Sequence, residues 1–455
     1  MPKNAKLNAE QNDDGKINIA LFCDAFYPSI DGVVTVVNHY ARILKDKANV
    51  FVVAPRRKGY KDAFDYEVVR CLATKVPILG YDYAMPQIDS KFINNMKKRK
   101  IDIIHIHSPF NIGKMGVAIA KEKKIPVVAT MHSQFKQDFK RATKSEFISN
   151  ILLKDVMKVF NNCTEVWAVN ENTQDVLKSY GYKKPSYVMK SGTEMLPIDK
   201  EAARKKIYEK HNIPDNVPVF LFVGRMIVMK SIFMIADSLK IIKDRGIDFR
   251  MIYVGDGMDL ADLKKHVTEL GLDDKVIFTG SIKDRKLLAE YYAASKLMLF
   301  PSVYDTDGLV KYEGASQHTP TVLMEGIAAT AGVVNDHNGY ISKPSTEGFA
   351  EKIIEVLGDE EKYKEVSENA FKELYRTWDQ KVDDAYNRYL YLIDEYKKKQ
   401  EHKAKIKQDK KERKEALKNV PRKKRTMEEK NQIIRKYNKR KKQIKEKEKQ
   451  SKKEN

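Results

Sequence analysis

The chain is poor in cysteine, in long apolar stretches and in the glycine signatures of common nucleotide-binding loops. Its three cysteines, Cys23, Cys71 and Cys163, lie far apart in apolar surroundings, which excludes a disulfide framework or a paired-cysteine metal site and fits buried thiols. No apolar run approaches the ~18 residues of a membrane-crossing helix, and residues 1–16 are polar without a signal-like core. The expectation is a protein made and kept in the cytoplasm. A full GxGxxG is missing, as is any module of stacking aromatics that reads RNA. What the chain does have is length and apolar content: 455 residues that are 42% hydrophobic can bury two ordinary cores.

The net charge of +22 is unevenly placed. Residues 397–455 hold 27 basic against 9 acidic residues, whereas the other 396 hold 58 against 54. The basic character therefore belongs to a tail, and no specific nucleic-acid partner is expected of the body. Only ten of the 59 tail residues are hydrophobic, too few to bury a core, so the tail is read as disordered or as an isolated helix interrupted at Pro421. Its lysine and arginine clusters would be drawn to an anionic membrane surface.

Short apolar runs at residues 17–23, 50–54, 67–70, 101–106, 127–131 and 165–169 alternate with helical patterns at 33–44, 89–99, 112–123, 138–163 and 171–180. A second series begins at residue 217, with strands at 219–223, 250–254, 276–279 and 297–300 between helices from about 230, at 258–270 and at 284–294. Two rounds of alternation predict an α/β protein with two Rossmann-like domains whose parallel strands are covered on both faces. Ligands in such folds sit beyond the carboxyl ends of the strands. There the sequence places Gly32, where backbone could approach a phosphate or sugar or simply turn, His107 and His132 after two strands, and Gly224-Arg225 with Lys230 five residues on. Arg225 and Lys230 could converge on a diphosphate leaving group.

The most informative stretch is residues 300–316, where a strand runs through Pro301, Asp305, Asp307 and Gly308 into a helix carrying Glu313. The amides of Gly308, Leu309 and Val310 would form a helix N-terminus able to bind phosphate or sugar hydroxyls, and Asp305 and Glu313 can accept hydroxyl hydrogen bonds. A plain N-cap by Asp305 or Asp307 is the other reading.

This stretch resembles the retaining family 4 glycosyltransferases of the glycosyltransferase-B architecture, whose motif is two acids with seven residues between them, a small-residue helix and a turn before proline: here Asp305-x7-Glu313, Gly314-Ala-Ser and His318-Thr-Pro320. Asp stands where Glu is commoner, Asp307 replaces an aromatic, and Gly314 replaces alanine. The resemblance spans residues 17–396. It implies that Arg225 and Lys230 bind the donor diphosphate, Glu313 the ribose, Asp305 with the Gly308 to Val310 amides the sugar, His132 the donor sugar and Ile282 the base, with no metal and no cofactor beyond a nucleotide-sugar co-substrate. It divides the chain into a polar extension 1–16, an acceptor domain 17–195, a nucleotide-sugar domain 196–378, a returning helix 379–396 and the tail 397–455.

Residues 135–153 repeat bulky apolar positions at three- and four-residue steps beside Lys136, Lys140, Arg141 and Lys144, an amphipathic basic helix that is either a core helix with a wet face or a membrane-facing one carrying Phe135 and Phe139. The apolar loop 76–86 suits an acceptor mouth or packs on the sheet. The functional expectation is a hexosyltransferase using UDP-glucose on a lipid such as diacylglycerol, bound peripherally to the inner face of the cell membrane. A cell-wall, teichoic-acid, protein or soluble glycan acceptor is the alternative, and a basic-tailed nucleic-acid-binding protein is the non-enzyme one.

Overall fold

The computed structural model describes residues 15–29, 31–75 and 82–419, with residues 431, 432, 434–436, 438, 439, 442 and 443. Most of the N-terminal extension, residues 76–81 of the apolar loop, Pro421 and the basic cluster 422–425 lie outside the described residues. Residues up to Asn387 form one compact unit and those from Arg388 another.

Within the first unit, β1 (Asn18–Phe22), β2 (Asn49–Pro55), β3 (Glu67–Cys71), β6 (Ile103–Ile106), β7 (Val127–Met131), β8 (Glu165–Ala168) and β9 (Ser186–Val188) pair in parallel in the order β3-β2-β1-β6-β7-β8-β9. The second sheet takes β10 (Val219–Val223), β11 (Arg250–Val254), β12 (Val276–Gly280), β13 (Leu297–Leu299), β14 (Thr321–Met324) and β15 (Tyr340–Ser342) in the order β12-β11-β10-β13-β14-β15, again all parallel. The central strands are buried along their whole length, as continuous apolar runs require when helices cover both faces. Each sheet reverses its winding once, between β1 and β6 and between β10 and β13. Loops diverge at such reversals and leave a crevice.

Helices α1 (Gly32–Leu44), α2 (Ser90–Lys98), α3 (Asn111–Lys123), α4 (Phe135–Thr143), α5 (Glu146–Asn162) and α6 (Glu171–Ser179) belong to the first sheet. Helices α7 (Lys200–His211), α8 (Ile232–Asp244), α9 (Leu260–Glu269), α10 (Arg285–Ala294), α11 (Leu309–Ser316), α12 (Thr346–Gly358) and α13 (Glu360–Leu374) belong to the second. The structure departs from the sequence reading in five places. The single helix expected over 138–163 is two, because Lys144 adopts a left-handed conformation (φ 52°) and Ser145 caps the new helix at the Ile148 amide. A two-stranded antiparallel ribbon, β4 (Ala73–Lys75) with β5 (Asp82–Ala84), was not anticipated, nor were α7 and β15. Helix α14 (Trp378–Asn419) runs without a break through the expected boundary at 396 and 397.

Two chain passages join the halves of the first unit side by side. Thr193 N–H donates to Arg376 O (2.8 Å) and Trp378 N–H to Thr193 O (3.2 Å). A Cβ on Gly192 would lie 2.7 Å from Thr377 O, so the two strands touch only because residue 192 has no side chain.

Candidate active site

The crevice between β10 and β13 collects the charged residues. Beyond β10 the chain turns through Gly224 and Arg225 into a short 3-10 turn, Val228–Lys230, which ends in left-handed Ser231 (φ 56°). This delivers the nearly buried Lys230 side chain to the loop after β13, where its Nζ donates to both carboxylate oxygens of Asp305 at 2.8 and 2.7 Å. The Ser302 hydroxyl also donates to Asp305, and the Lys230 ammonium lies 5.1 Å from the Phe300 ring centroid. Arg225 is exposed beside them.

Gly308 holds the turn into α11 at φ +66°, and an added Cβ would meet Phe300 Cε1 at 2.8 Å. Glycine is required on both counts. Gly308→Ala is expected to cost about 2 kcal/mol of stability, from a left-handed alanine and from an aromatic ring that must shift; urea denaturation measures it, and an unchanged midpoint would mean the loop moves freely. Leu309 and Val310 follow as the first two residues of α11. One turn later Glu313 accepts from Arg285 Nη2 (2.6 Å) and from the Tyr292 hydroxyl (2.8 Å). Ile282 is half-buried just beyond β12, after Gly280 at φ +71°. In the other half, Gly32 opens α1 behind the Asp31 cap, and a Cβ there would meet nothing within 4 Å. The fold itself makes no demand for glycine at that point.

His132, at the end of β7, places its Nε2 3.2 Å from His107 Nδ1. Burial, and then the Lys381 ammonium, pull the His132 pKa down to about 3, so the ring is neutral at pH 7. His105 is buried with its Nε2 2.7 Å from the Thr130 hydroxyl, and His107 Nε2 is buried without a partner.

The two acids of Asp305-Thr-Asp307 diverge. Asp307 turns away from Lys230 into a buried cluster, accepting from Asn170 Nδ2 (3.0 Å) and the Tyr312 hydroxyl (2.8 Å), with Lys311 Nζ at 3.4 Å. Burial raises its pKa, but Lys311 and these donors outweigh that and leave it lowered. Asn170 also donates to Thr306 O (3.1 Å), so this loop binds the end of β8 across the junction of the halves. Lys381 on α14 is buried near the same place, 4.8 Å from the Trp378 ring centroid, and burial lowers its pKa to about 8.

The sequence reading missed Asn170, Arg285, Tyr292 and Lys381. A signal existed for Lys381, which interrupts the apolar stripe Trp378, Val382, Ala385. For Arg285, the first residue of a helix, none did.

On the outer face of the first sheet, the two readings of residues 135–153 are divided between two helices. Phe135 is buried against Phe139 and Phe160, with ring centroids 6.0 Å away in each case, and Phe139 is half-buried. Lys136 and Lys140 stand 3.4 and 3.6 Å from Glu146, and Arg141 lies over the Tyr304 ring at 4.9 Å. The exposed apolar groups are on α5 instead: Phe147, Ile148, Ile151 and Leu152. The break at Lys144 lets α4 turn Phe135 inward, while α5 buries Leu153, Val156, Met157, Val159 and Phe160 and leaves the four apolar residues near its start exposed.

Residues 30–194 match the family model described as Glycosyltransferase Family 4, and residues 203–373 that of Glycosyl transferases group 1. The chain belongs to the family 4 glycosyltransferases. Among relatives of this glycosyltransferase, the alpha-monoglucosyldiacylglycerol synthase of Acholeplasma laidlawii is 25% identical over 403 residues, covering 84% of this chain and 99% of that one. The enzyme of the same name from Streptococcus pneumoniae is 27% identical over 315 residues, covering 67% and 70%. The fold matches that of the Anabaena protein HepE, solved in complex with UDP, at a TM-score of 0.67 with 17% identity, over 82% of this chain and 100% of that one. The two-sheet architecture is therefore that of the glycosyltransferase-B enzymes.

Proposed function

We propose that this glycosyltransferase moves a hexose, glucose in our reading, from a UDP-sugar to a membrane lipid such as diacylglycerol, with retention at the anomeric carbon and without a metal. The observation that carries this reading is the Lys230 ammonium held by Asp305 at the winding reversal of the second sheet. A fixed cation in that crevice stabilises charge that grows on a departing diphosphate, and exposed Arg225 supplies a second. Asp305 and Asp307 face different partners, so the pair is not arranged as a metal clamp.

In this mechanism Glu313 receives the ribose hydroxyls, Ile282 borders the base, and Gly32 leaves room beside the diphosphate. Asp305, the Gly308 to Val310 amides and neutral His132 orient the sugar. The bond from the anomeric carbon to the diphosphate oxygen breaks as the acceptor oxygen bonds to the same face, and the acceptor's proton passes to the leaving phosphate.

The lipid acceptor is supported by the names of the two synthases and by α5, whose exposed Phe147, Ile148, Ile151 and Leu152 adjoin the basic residues of α4. An apolar face with a cationic border is the form that docks on an anionic bilayer. Labelled UDP-glucose incubated with diacylglycerol vesicles should leave label in the extracted lipid; label confined to water-soluble product would refute the acceptor.

Membrane attachment divides between α5 and the tail. Replacing Ile148 and Ile151 by Asp should weaken sedimentation with phosphatidylglycerol vesicles at least tenfold, since each buried isoleucine contributes roughly 1.5–3 kcal/mol. Truncation after Tyr396 should weaken it further at low salt but little at high salt, because the tail acts through screened charge at ~1 kcal/mol per cation near the surface. If neither change reduces sedimentation, attachment lies elsewhere.

A further inference from the structure

Glu313 is not an isolated carboxylate waiting for a ligand. Arg285, at the first turn of α10, donates from Nη2 to Glu313 Oε1 (2.6 Å) and forms an ion pair with Glu194, its Nε 2.8 Å from Glu194 Oε1. Nε and Nη2 lie on one edge of the planar guanidinium, so a single rigid fork draws the two acids side by side. The buried Tyr292 hydroxyl binds the other oxygen, Glu313 Oε2, at 2.8 Å. Burial and the adjacent Glu313 push the Tyr292 phenol well up, which keeps it a donor. Each Glu313 oxygen thus has one protein partner and retains a lone pair for a ligand hydroxyl.

Glu194 belongs to the chain passage that joins the halves, beside the Thr193 and Thr377 pairing. Its other oxygen lies 3.6 Å from His39 Nε2, and His39 is stacked on Trp378 with centroids 4.6 Å apart. Burial, with Arg42 and Arg285 nearby, lowers His39 to about 4, so at pH 7 the ring is neutral and the Glu194 charge is left to Arg285.

We propose that Arg285 is a positioning residue for donor binding: anchored on Glu194 and aided by Tyr292, it fixes the Glu313 carboxylate in the orientation that receives two vicinal hydroxyls of the nucleoside. This rests on the reading that Glu313 binds the ribose. A carboxylate pinned at both oxygens loses little rotamer freedom when the ligand arrives, whereas an unpinned one must be ordered at that moment. The effect belongs to binding of the nucleoside and not to cleavage of the sugar bond, so it falls on KM.

The experiment is a double-mutant cycle on the full chain, with KM and kcat for UDP-glucose, the Kd of UDP and the thermal midpoint measured for Glu313→Gln, Arg285→Met, Arg285→Lys and the Glu313→Gln, Arg285→Met double variant. Glu313→Gln should raise KM and the UDP Kd roughly tenfold or more. Arg285→Met should raise both roughly fivefold with kcat changed less than about twofold and the thermal midpoint unchanged, and Arg285→Lys, which keeps the charge but not the fork, should recover only part. In the Glu313→Gln background Arg285→Met should change KM by less than about twofold, because there is no longer a carboxylate to position. An unchanged KM in Glu313→Gln would overturn the ribose reading and the proposal with it. A raised KM in Glu313→Gln, with Arg285→Met either silent or equally costly in both backgrounds, would overturn the proposal alone.

Discussion

Lys230→Ala is expected to slow hexose transfer by roughly 10²–10³ at saturating donor, while UDP binding weakens only about tenfold. The asymmetry follows from where the cation sits. Lys230 is nearly buried, its ammonium lies 5.1 Å from the Phe300 ring centroid, and it is held by both oxygens of Asp305. Such a group needs little reorganisation when negative charge grows beside it, and so lowers the barrier more than it tightens the ground state. The substitution also leaves Asp305 with only the Ser302 hydroxyl, placing an uncompensated carboxylate next to a departing anion. Arg225, exposed, is expected to matter less. Steady-state kinetics with UDP-glucose, paired with UDP titration, separate the two quantities; equal losses in rate and affinity would mean Lys230 is a ground-state contact only.

Lys381→Met should make the protein more stable at pH 7, by about 3 kcal/mol. Burial depresses the Lys381 pKa from 10.5 to about 8, so below pH 8 the fold holds an ammonium in surroundings that disfavour it. Met has similar length and no charge. Between about pH 8 and 10.5 the unfolded chain keeps a proton that the folded chain has released, so wild-type stability gains from this group as pH rises. The advantage of the variant should therefore be largest below pH 8 and shrink toward pH 10. Urea denaturation at pH 7 and pH 9.5 measures it. A variant less stable than the parent at pH 7 would show that attraction to Asp307 and the Trp378 ring outweighs the cost of burial.

Why Lys381 escaped a reading of the sequence, whereas Lys230 did not, is a matter of range. Strands buried on both faces leave long apolar runs that mark their own ends; His132 directly follows such an end, Lys230 and Asp305 lie in the loops after one, and Glu313 lies on the helix that the second of these loops enters. Both parallel sheets were legible for the same reason. Lys381 and Asn170 acquire their surroundings from segments more than a hundred residues away, as Asn170 does from Thr306 and Asp307. The only local trace is the break that Lys381 makes in the apolar stripe of α14; no local pattern encodes the distant partners of Asn170.

Local conformation hid other features. A left-handed lysine at 144 carries no glycine signal, so residues 135–153 read as one helix with one apolar face, whereas Phe135 is buried and Ile148 and Ile151 are exposed. Helix α7 is polar apart from Ala202, Ala203, Ile207 and Tyr208, although its Asp199 cap was there to be seen. The ribbon of β4 and β5 has three residues per strand, below the length at which alternation declares itself.

The central claim is that fixed cations, not a metal, carry a same-face transfer from a UDP-sugar to a lipid. The most direct test is the anomeric coupling constant, by proton NMR, of the glycolipid formed from UDP-α-glucose and diacylglycerol in excess EDTA. The account predicts an α-linked product formed at the rate seen without chelator; a β-linked product, or activity abolished by EDTA and restored by Mn²⁺ or Mg²⁺, would contradict it.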